Sequence, residues 1–277
     1  MTLLGSFSQV RNSKLAKLFG NHYKAAYTRW AYCLRKDIAT PSTFSHCFDL
    51  PPRLPGESVH DYCQSFHLNA EAGNILDWTL PVECVAYVRR YTTGPRYFED
   101  MSFVAYQATR FSQSISVRGH GRDSWVFEVD ETLLSNAAYF AKHNYGASLF
   151  NQTDFNIWVA QGKATAIVSM RTLYWKLIDA HWTVYLMSQR RTESQRAVTE
   201  KNLRDAGYKG WKKLFLQRSS RSFVTAVEDI RNPGNSDVYK KIEENGGIVH
   251  ASVGSKRNMG TDSLPGSMSF KAPNAMY

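Results

Sequence analysis

The chain is poor in several things that would identify it quickly. Among 277 residues there are only four cysteines, at 33, 47, 63 and 84, and none are arranged as C-x-x-C. No H-E-x-x-H occurs either, and the eight histidines are scattered, so a zinc site is not expected. No run approaches the roughly 18 consecutive apolar residues of a membrane span, which excludes an integral helical membrane protein. Disorder is excluded by composition, because 43% of residues are hydrophobic and only 21% are charged. The most local deficiency is of acids: none occurs before Asp37, while Arg11, Lys14, Lys17, Lys24, Arg29, Arg35 and Lys36 are all basic. Those seven account for most of the net charge of +10, since the remainder holds 27 basic against 24 acidic residues.

On a helical wheel, residues 14–36 separate into two faces. Leu15, Phe19, His22, Ala26, Trp30 and Cys33 fall on one side; Lys14, Lys17, Asn21, Lys24, Thr28 and Arg35 fall on the other. Three readings follow. An acid-free, basic, amphipathic segment has the pattern of an organelle transit peptide, mitochondrial for example. The same pattern suits a helix docked on a protein partner or an anionic surface. Nucleic-acid binding is the third reading, but no base-reading motif accompanies the charge, so no specific nucleic acid is expected. Met1 is retained, which favours an uncleaved, docked helix. Residues 37–55 then read as a linker, since Pro41, Pro51, Pro52 and Pro55 resist helix and sheet.

From residue 56 the pattern becomes globular. Helices are expected over 57–78 and 82–112. Ser124–Asp130 is a buried apolar run ending in carboxylates. A helix over 170–180, a strand over 182–187, a helix from Glu193 to Ala206 stopped at Gly207, a strand over 213–216, a helix over 236–245 and a strand over 248–253 complete the alternation. Strands alternating with helices imply an α/β parallel sheet of Rossmann type. Ligands bind such sheets at the carboxyl ends of the strands, where Glu128, Asp130, Ser188 and Ser255 would converge.

The stretch Trp125-Val-Phe-Glu-Val-Asp-Glu-Thr-Leu-Leu-Ser-Asn136 resembles the first motif of the plant class B acid phosphatases and vegetative storage proteins, members of the haloacid dehalogenase superfamily. The likeness continues through Tyr139–Gly146, Phe150–Thr153, Trp158–Gly162 and Gln195–Tyr208. Upstream it takes in Cys63, His67, Glu71, Asn74, Trp78, Pro81 and Cys84, and it ends in Phe270–Tyr277. The resemblance implies a haloacid dehalogenase-like Rossmannoid parallel sheet over residues 56–277, with N-terminal helices and a small cap insert at about 137–165. It also implies a secreted or vacuolar protein as the alternative to an organelle. It pairs Cys63 with Cys84, although buried free thiols fit a reducing compartment equally well.

The chemistry of that superfamily uses an aspartate nucleophile, a second aspartate as acid and base, a Ser or Thr for a phosphoryl oxygen, a Lys and a magnesium ion. Glu128 stands at the nucleophile position, and its extra methylene displaces the attacking oxygen by about 1 Å, a shift that can cost around 10²-fold. Asp130, Thr132 and Ser188 match, while Gln189 replaces the usual glycine. Asn235 stands for the Lys and Ser255 for a metal-binding acid. With no bound cation, a phosphate dianion would face Glu128 and Asp130 with little screening. Asp237, Lys240, Lys256 or Asp262 would compensate if the loops bend differently.

The expectation is therefore a non-catalytic protein of this fold, with a structural, storage or interaction role and no cofactor. It would act as a homodimer or as an accessory subunit docked through residues 14–36. The alternative is a weak or repurposed magnesium-dependent phosphatase acting on phosphomonoesters, with Glu128 and Asp130 as the metal ligands.

Overall fold

The computed structural model describes residues 53–73, 79–118, 120–217, 233–256 and 267–276. The basic segment 14–36, most of the Pro-rich stretch, Cys33, Cys47, Asn74, Trp78 and Asp262 lie outside the described residues. Residues from Ser58 onward form one compact unit. Among the described residues no helix is long and apolar enough to cross a membrane.

Three helices come first: α1 (Val59–Gly73), α2 (Val85–Thr93) and α3 (Pro95–Gln113). The continuous helix expected over 82–112 is thus corrected to a 3₁₀ turn at Val82–Cys84 followed by two helices. The break has a local cause. Pro95 cannot donate to a preceding turn and disfavours the helical region for the residue before it, and Gly94 is extended at φ −98°, ψ 173°. Pro95 then occupies the first turn of α3, where its missing N–H costs nothing. A disulfide joins Cys63 on α1 to Cys84, across 21 residues of sequence.

The central sheet has five parallel strands: β1 (Asp123–Glu128), β4 (Thr183–Thr192), β5 (Lys213–Gln217), β6 (Ile248–Gly254) and β7 (Met268–Lys271), in the order β5-β4-β1-β6-β7. Every residue of β1 is buried, as the middle strand of a sheet covered on both faces must be. Its side chains alternate. Trp125 stacks on Phe270 and meets Trp182 and Phe111 edge-on, while Phe127 meets Tyr174. Val126 points the other way, into a cluster with Tyr185, Met187, Val249 and the Val238, Tyr239 and Ile242 face of α8 (Pro233–Glu244).

Between β1 and β4 lie a two-stranded antiparallel ribbon, β2 (Leu134–Ser135) with β3 (Thr165–Ala166), the short helices α4 (Ala137–Lys142) and α5 (Gln152–Ala160), and then α6 (Val168–Asp179). After β4, a 3₁₀ turn at Glu193–Gln195 leads into α7 (Arg196–Asp205), closed by Gly207 at φ +91°. The C-terminal tail packs onto Gly146, where a Cβ would lie 1.9 Å from the Met276 carbonyl oxygen, so only glycine fits.

Two sequence expectations change here. The strand expected to end at Met187 runs on to Thr192, with a shift in its pairing to β5 between those two residues. The edge strand β7 was not expected. Its four residues alternate only weakly in hydrophobicity, and neighbouring β6 supplies the pairing that forms it.

Candidate functional site

The register of the sheet places the candidate residues. Glu128 ends β1 opposite Met187 of β4, and Phe127 lies opposite Val253 of β6. Ser188 follows Met187 within β4 and Ser255 follows Gly254, so the carboxyl ends of β1 and β6 meet the second half of β4. Beyond Glu128 the chain turns tightly. Leu133 and Leu134 both donate backbone N–H groups to the Val129 carbonyl, and Glu131 takes φ +53°. This turn buries Asp130, Glu131 and Thr132 almost completely.

The side chains then close on one another. Glu128 Oε2 accepts from the Ser255 backbone N–H at 2.7 Å and from its hydroxyl at 3.0 Å. Asp130 accepts from the Ser188 hydroxyl at 2.7 Å and from Asn136 Nδ2 at 3.0 Å. It also accepts from Arg191, through Nη2 at 2.8 Å and Nε at 3.0 Å, and Arg191 is itself 0% exposed. The Ser188 oxygen receives the backbone N–H groups of Arg190 and Arg191, so its single proton goes to Asp130 and its lone pairs hold the turn. Asn136 links the site to the insert, since its Oδ1 accepts from Trp158 Nε1 on α5 at 2.9 Å. Arg190 lies 4.3 Å over the Phe150 ring.

Burial acts differently on the three carboxyls. It raises the Glu128 pKa, and the Lys256 charge and the two Ser255 hydrogen bonds oppose without cancelling it. It also acts to raise Asp130, but the Arg191 charge and the hydrogen bonds from Arg191, Ser188 and Asn136 outweigh it, holding this carboxyl below the usual range. Glu131 is pushed up to about 8 by burial, against the Asn136 backbone hydrogen bond and with the help of the Asp130 charge. Near neutral pH, Asp130 is therefore an ion and Glu131 is protonated.

Arg191 is the residue that sequence reasoning missed, and it corrects the expected lack of screening. Because β4 continues past Ser188, its pairing shift turns Arg191 inward beside Asp130. The signal present in the sequence was the Arg190-Arg191 pair, separated from the candidate Ser188 by Gln189 alone. Lys256 contributes its charge at Glu128, whereas Asp237 and Lys240 are exposed. Asn235 lies in the first turn of α8. Thr132 is fully buried, with no hydrogen-bond partner for its hydroxyl among the described residues.

A divalent cation needs carboxylate or carbonyl oxygens with free lone pairs. Here the Asp130 oxygens face a guanidinium at contact distance, and Ser255 directs both its donors at Glu128. Among the described residues there is no group of three acidic, His or Cys side chains suited to a metal. The donor set among the described residues does not fit magnesium.

A parallel α/β sheet carrying an acidic first-strand turn, a serine on the adjacent strand and a helical insert defines a haloacid dehalogenase-type protein. Comparison with known proteins narrows this. The family model described as "HAD superfamily, subfamily IIIB (Acid phosphatase)" matches residues 54–277, and the chain belongs to that family. Over 250 residues it is 34% identical to "Acid phosphatase 1" of Solanum lycopersicum, covering 87% of this chain and 94% of that protein. It is 35% identical over 220 residues to the "Stem 28 kDa glycoprotein" of Glycine max (78% and 83% covered) and 28% identical over 218 residues to "Vegetative storage protein 2" of Arabidopsis thaliana (78% and 79% covered). Among solved structures, the class C acid phosphatase from Bacillus anthracis superposes with a TM-score of 0.52 at 16% identity, over 71% of this chain and 85% of that one, a likeness of fold.

Two predictions follow from the buried charges. Arg191→Met should destabilise the protein by about 3–5 kcal/mol in denaturant titration, because it leaves an unpaired buried carboxylate. Asp130→Leu combined with Arg191→Met should recover most of that loss; additive losses would contradict the pairing. Glu131 has a folded pKa above its ordinary value of 4.5, so its contribution is present below about pH 4.5 and is lost as pH rises toward about 8. Glu128 acts in the same direction, and Asp130 opposes only in acid, where its lowered pKa is crossed. The protein should therefore be more stable at pH 5 than at pH 8. Glu131→Gln should flatten that slope, and an unchanged slope in thermal melts would refute the assignment.

Proposed function

We propose that the chain is a non-catalytic member of the acid phosphatase family, with a structural, storage or interaction role. The observation that carries this reading is the bonding of Asp130, the position expected to act as acid and base. Its oxygens are taken up by Arg191, Ser188 and Asn136 inside a buried crevice. A residue so engaged cannot shuttle a proton to a leaving group unless the ion pair opens. One oxygen of Glu128, Oε2, is likewise held by both donors of Ser255. The vegetative storage proteins among the relatives support the storage form of this role. The Cys63–Cys84 disulfide supports an oxidising compartment, in keeping with a secreted or vacuolar protein. A role as an accessory subunit, docked through residues 14–36, is part of the same reading.

The test is hydrolysis of p-nitrophenyl phosphate with and without magnesium. The expected result is a rate equal to that of the Asp130→Ala variant. A magnesium-dependent rate that Asp130→Ala abolishes and Glu128→Asp raises would overturn the proposal in favour of a repurposed phosphatase working through Glu128 and Asp130.

A further inference from the structure

A second site lies at the opposite end of the sheet. The amino ends of β1, β4, β5 and β6, with the C-terminal end of α8, enclose a cavity of about 540 Å³. Five of its lining residues carry basic groups: His120 and Arg122 before β1, Lys212 and Lys213 at the start of β5, and Lys241 on α8. No lining residue is acidic among the described residues. Among the described residues none of the five has an ion-pair partner, whereas Arg118, Arg196, Lys201 and Arg204 elsewhere in the unit each pair with a carboxylate. Four of these residues, the arginine and three lysines, are permanent cations around a single cavity. Such a cavity concentrates anions, because walls of one sign focus the field into the cleft.

The floor has a different character. Tyr185 and Phe215 lie with ring centroids 6.1 Å apart, and Ile242 of the core cluster lies beside them. Phe215 is partly exposed, and the Lys213 ammonium lies 5.1 Å from its ring centroid. An aromatic floor under a basic rim matches a flat ring bearing several anionic groups. The ring stacks on Phe215, and the anions meet Arg122 and the lysines in charge-assisted hydrogen bonds.

We propose that this cavity binds a small organic polyphosphate with a planar ring, of the nucleoside polyphosphate kind. The site is distinct from the carboxylate crevice and does not rest on the reading of that crevice. It also accounts for charge that a count along the chain conceals. Beyond residue 36 the chain is nearly balanced, yet folding gathers residues 120–122, 212–213 and 241 at one place.

Calorimetric titration of the full chain with ATP, tripolyphosphate and inorganic phosphate in about 0.1 M salt tests this. The expected result is saturable 1:1 binding of ATP, several-fold tighter than tripolyphosphate, with inorganic phosphate weakest. Arg122→Ala with Lys241→Ala should weaken ATP binding by about tenfold or more, and Lys213→Gln alone should weaken it by a smaller factor. Lys14→Ala with Lys17→Ala and Lys24→Ala should leave it unchanged, which separates the cavity from the basic N-terminal segment. Absence of saturable ATP binding, affinity unchanged by the cavity variants, or affinity lost with the N-terminal variant would each overturn the proposal. Equal affinity for ATP and tripolyphosphate would overturn the stacking on Phe215. Melting temperatures of the exposed-lysine variants near that of the parent exclude misfolding as the cause.

Discussion

The carboxyl ends of the sheet are organised by the buried pair between Asp130 and Arg191. Neither side chain could be buried alone, because an isolated charge in a protein interior carries a desolvation cost of several kcal/mol. Each makes the other tolerable only if the geometry is held, and several elements hold it. Ser188 bonds to Asp130 while tying down the backbone that carries Arg191. Asn136 bonds to Asp130 while accepting from Trp158 on α5. The pair therefore joins the first-strand turn, the end of β4 and the helical insert in one network, and loosening one member loosens the rest.

In the family's usual chemistry a divalent cation and a lysine balance the carboxylates. Here the balance comes from the chain itself. Arg191 neutralises Asp130, Lys256 bears on Glu128, and Glu131 sheds its charge by staying protonated. On the proposed reading, Ser255, standing for a metal-binding acid, donates twice to Glu128, and Arg191 supplies positive charge beside Asp130. A crevice balanced by its own groups would, on that reading, hold no metal to activate a phosphoryl group. The basic cavity at the other end of the sheet is the opposite case, with cations that have no carboxylate partner among the described residues.

Much of this was legible in the sequence. The apolar runs placed β1, β4, β5 and β6, and the motif resemblance identified Glu128, Asp130, Thr132, Ser188 and Ser255 as crevice residues. Arg191 was not legible, for two reasons. The apolar run stops at Met187, so nothing in the Ser-Gln-Arg-Arg sequence signals that the strand continues. The inward turn comes from a pairing shift against β5, which is a tertiary event. Substitutions at aligned positions reveal lost groups, while a compensating group can come from an adjacent position. The basic cavity escaped for a related reason, since its residues are distant in sequence and meet only when parallel strands bring their amino ends together.

On the proposed reading the crevice supplies its own positive charge in place of a divalent ion. Titrating the full chain with magnesium in a calorimeter tests it most directly. The account predicts no saturable heat at millimolar magnesium, with Asp130→Asn giving the same trace. One-to-one magnesium binding that Asp130→Asn abolishes would contradict it.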